Sequence, residues 1–137
     1  MKLTPQTTTL IDKYEIIQLN LHKSRTATND LIAHMLNNNV AIALIQEAFV
    51  CRHGPRYKVS HLNGLQLAAH TSQKFLSAII YNKDAVSSLF IPQLSNDHFT
   101  VISVQLGKTQ AFFASIYLPP SSDIRTEIKS WSRNSQC

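Results

Sequence analysis

Tyr14–Glu47 reads YEIIQLNLHKSRTATNDLIAHMLNNNVAIALIQE, and this stretch decides the fold. Its first seven residues, Tyr14-Glu-Ile-Ile-Gln-Leu-Asn20, are β-rich with partial alternation and predict a strand. From Lys23 the apolar period lengthens. Ala27, Leu31, Ile32, Met35 and Leu36 fall at helical spacings and form one stripe. Ser24 or Thr26 can cap the start of this helix, and Asn37-Asn38-Asn39 supplies a stop. Val40–Ile45 is short, continuous and apolar, as a strand buried on both faces would be, and Gln46-Glu47 follows it. Strand, helix and strand with short joints make a βαβ unit. Its strands are expected to run parallel, side by side, with a right-handed crossover.

Outside this unit the pattern changes. Residues 1–12 read as a polar lead-in, and residues 51–64 as an irregular loop. Short β runs follow at Leu65–Ala69, Leu76–Tyr81, Phe99–Leu106 and Gln110–Tyr117, divided by turn-like pieces. These pieces are Asn82-Lys83-Asp84, Pro92 with Ser95-Asn96-Asp97, and Gly107-Lys108, the last joining a hairpin. Pro119-Pro120 ends the final strand, and Ser122 caps a short helix with Ile124, Ile128 and Trp131 on one face. The fold class is therefore α/β or α+β, built on a mixed β-sheet with flanking helices.

The 137 residues suffice for one domain, and a hydrophobic content of 44% argues against disorder. The longest apolar runs fall far short of the roughly 18 residues of a membrane span, so no membrane partner is expected. Cys51 and Cys137 are the two cysteines, which excludes a disulfide framework and makes a reducing compartment, nucleus or cytoplasm, the expectation. The net charge of +5 admits an acidic partner, yet no Lys/Arg cluster concentrates it. Cys51, His53 and His61 match no paired zinc-finger spacing.

Ligands of open α/β sheets bind at the carboxyl ends of parallel strands. Asn20 ends the first such strand and Glu47 the second. A carboxylate beside a carboxamide is an oxygen-rich pair suited to Mg²⁺, which often takes few protein ligands. The plainer alternative is that Asn20 caps a loop and Glu47 is a solvated strand-end acid. Lys23, Arg25, Arg52, Arg56 and Lys58 fall in the loops after these strands, as phosphate contacts or as solvated charges.

Three segments carry a resemblance: Ile17-Gln-Leu-Asn-Leu-His-Lys-Ser24, Ile42-Ala-Leu-Ile-Gln-Glu-Ala-Phe49 and Ser115-Ile-Tyr-Leu-Pro-Pro120. In this order and at these spacings they resemble the N-terminal half of the endonuclease domain of non-LTR, LINE-like retrotransposons of the R1/jockey type. That domain belongs to the endonuclease/exonuclease/phosphatase superfamily. The resemblance covers about residues 14–122 and implies the first half of a four-layer, deoxyribonuclease I-like α/β sandwich. It matches Asn20 to the active-site Asn, Glu47 to the metal-binding Glu, and Tyr117 to the active-site Tyr near the scissile phosphate. Without it, Tyr117 would read as an aromatic packing at a strand end. His22 stands where apurinic endonucleases often carry a metal-site Asp.

The implied activity is Mg²⁺-dependent nicking of DNA, with Mn²⁺ as an alternative ion, Glu47 and Asn20 at the metal, and DNA as partner. The family's water-activating motifs, Asp-x-Asn and Ser-Asp-His, lie downstream of the Tyr-x-Pro-Pro segment and do not occur in residues 121–137. Asn96-Asp97-His98 precedes Tyr117, out of family order, and reads as a turn. Residues 13–137 are therefore expected to be a truncated domain, weakly active or inactive alone. An uncovered face of its sheet would promote self-association. The rivals are a non-catalytic remnant binding DNA or protein, and a phosphoesterase acting on a small phosphate ester.

Overall fold

A computed structural model describes residues 7–11 and 13–120. Tyr14–Asn20 is a strand, as its composition predicts, and so are Ile42–Gln46, Ser77–Tyr81, Phe99–Leu106 and Thr109–Ile116. In chain order the elements are β1 (Thr7–Ile11), β2 (Tyr14–Asn20), α1 (Arg25–Asn38), β3 (Ile42–Gln46), β4 (Cys51–His53) and β5 (Arg56–Lys58). Then follow β6 (Gln66–Ala68), β7 (Ser77–Tyr81), β8 (Ser87–Phe90), β9 (Phe99–Leu106) and β10 (Thr109–Ile116), with a 3-10 turn at Pro92–Leu94 before β9.

The βαβ unit forms as expected. β2 and β3 pair in parallel, from Ile16 opposite Ile42 to Asn20 opposite Gln46. Ser24 is the N-cap of α1, its hydroxyl accepting from Ala27 N at 3.1 Å. Asn39 closes the helix in the left-handed conformation, at φ 53°, which asparagine tolerates better than most residues. α1 buries Ala27, Thr28, Leu31, Ile32 and Met35, whereas Leu36, counted in the apolar stripe, is exposed.

The strands form a five-stranded mixed sheet, β1-β2-β3-β7-β6, and a three-stranded antiparallel sheet, β10-β9-β8. Because successive strand residues face opposite sides, the first sheet is apolar on both. Ile17, Leu19, Ala43, Ile45 and Ile80 pack under Leu31, Ile32 and Met35 of α1. Ile16, Ile42, Ala68 and Ile79 pack against Val86, Ile102, Val104 and Leu106 of the second sheet and the turn before it. The order of layers is helix, sheet, sheet.

Four expectations change. Two sheets, not one, carry the fold, since β8 to β10 turn away to form their own. The face expected to lie uncovered and drive self-association is covered by that second sheet. Residues 51–64 are not wholly irregular: β4 and β5 pair as a two-stranded ribbon. β1, within the polar lead-in, adds an antiparallel edge strand to β2. The helix expected after Ser122 lies outside the described residues, and α1 is the one α-helix among them. No described helix is long and apolar enough to cross a membrane.

Candidate active site

The site gathers where β2, β3 and β10 end. Asn20 closes β2, and its Oδ1 accepts from His22 N at 2.8 Å. This turn carries His22 and Lys23 through the left-handed region, at φ 53° and 57°. Lys23 N then donates to Glu47 O at 2.6 Å, while Leu21 N donates to Gln46 O at 2.8 Å. Glu47 is itself left-handed, at φ 52°, and its N–H donates to Leu76 O at 2.8 Å. Non-glycine residues adopt this conformation at a cost and persist there when neighbours over-determine them. Here the backbone of Glu47 is held from both sides.

Tyr117 follows β10. Its phenol lies near the Glu47 carboxylate. Loss of surrounding water, then the pull of the Glu47 carboxylate on the phenol proton and its negative charge, push the phenol above its usual value of 10. On its other side, His22 Nδ1 lies 4.0 Å from Glu47 Oε2, with the His22 side chain 78% exposed. An ion pair so long and so exposed contributes little.

Asn20, Glu47 and Tyr117 thus come together at one end of the first sheet. A fourth group stands with them. Asp97-His98, expected to be a turn outside the site, is a turn beside it. The His98 ring lies 5.6 Å from the Tyr117 ring, centre to centre, and His98 Nδ1 is 3.0 Å from Asp97 Oδ1. The signal was present in the hairpin. Leu106 pairs with Thr109 and Phe99 with Ile116, so the next step along the ladder sets His98 opposite Tyr117, and Tyr117 N donates to His98 O at 2.8 Å.

Beneath the site a buried polar chain joins the two sheets. Gln18 Nε2 donates to Gln46 Oε1 at 2.6 Å, Gln46 Nε2 to Ser115 Oγ at 2.9 Å, and Ser115 Oγ to Ile45 O at 2.6 Å. Ser77 Oγ lies 2.9 Å from Ser115 O and 2.7 Å from Thr100 Oγ1. Each member finds a partner, as burial of polar groups requires. Gln46 directly follows the apolar run Val40–Ile45. Its position at the close of an apolar run, facing inward serines, is the clue to this role.

Beyond Glu47, Thr28 Oγ1 accepts from Phe49 N at 3.0 Å, and the Arg25 guanidinium sits 4.8 Å from the centre of the Phe49 ring. A cleft of about 370 Å³ opens here, lined in part by Arg25, Phe49, Cys51 and His61. Arg52 bonds Gly54 O in the β4–β5 turn, and Arg56 bonds Thr71 Oγ1 in the segment after β6.

No group of three or more His, Cys, Asp or Glu among the described residues could hold a metal ion. A zinc centre does not fit. A hard cation that keeps most of its water asks for fewer protein ligands, and the Glu47 side chain is one-fifth exposed.

No protein-family model and no curated protein matches the chain. Among solved structures, it is similar to the endonuclease domain of TRAS1, a telomere-specific non-LTR retrotransposon, at 24% identity with a TM-score of 0.71. The match covers 90% of this chain and 52% of that one, so the chain spans about half the length of the domain whose fold it shares.

Proposed function

We propose that this chain holds the phosphate- and metal-binding part of a DNA endonuclease of the retrotransposon type, acting on phosphodiesters with Mg²⁺ and nicking slowly by itself. The observation that supports this most is the convergence of Glu47 and the Tyr117 phenol near it beside the end of the strand that carries Asn20. Glu47 would hold the ion, with water and phosphate oxygens completing its shell. Bound there, Mg²⁺ supplies charge neutralisation at the phosphate and the leaving oxygen. Asn20 Oδ1 already accepts from His22 N, which leaves the amide Nδ2 to donate to a phosphate oxygen. Tyr117 has a single proton, and the nearby Glu47 carboxylate attracts it. A phosphate oxygen competes for that proton, so phosphate binding at Tyr117 and the engagement of Glu47 are linked.

The second reading is a DNA-binding module without catalysis, which the net charge of +5 favours. Binding of a labelled DNA duplex at constant ionic strength separates the two. Endonuclease function predicts that Mg²⁺ strengthens binding in the wild type and does not in Glu47→Ala. Binding that falls with salt but ignores both Mg²⁺ and Glu47 would establish the second reading.

A further inference from the structure

The Asp97–His98 pair is not required by the roles given to Asn20, Glu47 and Tyr117, and it is built in a specific way. Asp97 O accepts from Leu76 N at 2.8 Å and from Ser77 N at 3.1 Å. Asn96 Oδ1 accepts from His98 N at 2.8 Å and from Phe99 N at 2.9 Å. The loop is therefore fixed on β7 and by its own asparagine. Within it, Nδ1 of His98 faces Oδ1 of Asp97 at 3.0 Å. An ionised carboxylate only accepts, so Nδ1 carries the hydrogen. In the neutral imidazole this leaves a lone pair on Nε2. The ring's hydrogen bond to Asp97 is made at Nδ1, and the His98 side chain is 27% exposed. The groups beside the ring are Asp97 and Tyr117, and Tyr117 in turn lies near Glu47.

We propose that Asp97 and His98 form a proton-accepting pair for hydrolysis of a phosphodiester held at Tyr117 and Glu47, with His98 Nε2 as the acceptor and Asp97 as its positioning residue. The proposal rests on the phosphodiesterase reading above. In the step, a water oxygen forms a bond to phosphorus and its proton passes to Nε2. The ester bond between phosphorus and the leaving sugar oxygen breaks, and that oxygen takes a proton from solvent. The pair precedes Tyr117 in sequence, and the hairpin register alone brings it to the site.

The test is Mg²⁺-dependent nicking of supercoiled plasmid by the full chain. His98→Ala is expected to slow nicking by roughly a hundredfold or more, with DNA affinity unchanged. Added imidazole is expected to restore part of the rate, which it would not do for a merely structural histidine. Asp97→Asn is expected to slow nicking by at least roughly tenfold, because the amide no longer enforces the tautomer. His98→Gln, which keeps a polar side chain of similar size, is expected to show the same loss and covers the case that the alanine variant unfolds. The ¹⁵N spectrum of the imidazole gives an independent readout: Nδ1 protonated and Nε2 bare at neutral pH. A His98→Ala variant nicking at the wild-type rate, beside an inert Glu47→Ala, overturns the pair and leaves the phosphodiesterase reading standing. A proton found on Nε2 of the neutral ring also overturns it. A wild-type chain inert with Mg²⁺ overturns both.

Discussion

Gln46 Nε2 donates to Ser115 Oγ at 2.9 Å, and this bond links the strand that precedes Glu47 to the strand that precedes Tyr117. Both side chains are buried, Gln46 at 5% exposure and Ser115 at 1%. The bond fixes the spacing between two sheets whose apolar contact alone would tolerate sliding.

Truncating one partner leaves the other buried and unsatisfied, which costs about 1–3 kcal/mol. Gln46→Leu is expected to lower the unfolding free energy by that amount, read as a lower urea midpoint with an unchanged slope, because it strips the Gln18 amide of its acceptor and Ser115 Oγ of its donor. An unaltered midpoint would show that the chain of polar groups does not hold the sheets together.

Loss of water first, and the nearby Glu47 carboxylate second, push the Tyr117 phenol above 10. A group whose pKa is raised on folding favours the protonated state in the fold. The contribution to stability is therefore complete below pH 10 and is lost as pH climbs through the folded-state value. The ultraviolet titration difference between the wild type and Tyr117→Phe should place the midpoint above 10. Glu47→Gln should bring it part of the way down, since desolvation, the larger cause, remains. A midpoint that does not move in Glu47→Gln would mean that the two side chains do not interact in solution.

Thr28 ties the first turn of α1 to the segment after Glu47. Its hydroxyl donates to Ser24 O at 2.8 Å and accepts from Phe49 N at 3.0 Å, in a residue only 3% exposed. Thr28→Val keeps the volume and removes both bonds. A loss of about 1–3 kcal/mol in denaturant is expected, with faster amide exchange at Phe49. Unchanged exchange at Phe49 would show that the loop is held by other contacts.

The βαβ unit was legible because its information is local. Alternation in Tyr14–Asn20, the stripe from Ala27 to Met35 and the apolar run to Ile45 each fit one element, and Ser24 and Asn39 mark the helix ends. β4, β5 and β8 were not legible, because these short strands hold only exposed and half-buried residues and so lack a buried apolar face to mark them. Cover for the second face of the first sheet depends on Ile102 and Val104 meeting Ile42 and Ile79, a pairing far apart in sequence. Asn20, Glu47 and Tyr117 came from motif resemblance rather than from spacing. Asp97 and His98 were set aside on chain order, which does not determine proximity. The turn at Gly107-Lys108 had already set the register that brings His98 to Tyr117.

The central claim is that Glu47 and Tyr117 form one phosphodiester site. The rate at which the chain nicks supercoiled plasmid in Mg²⁺, compared between the wild type and Glu47→Ala, tests it most directly. The account predicts slow nicking by the wild type that stops on chelation of the metal and is absent from Glu47→Ala. Nicking at equal rates by both proteins, or by neither, would contradict it.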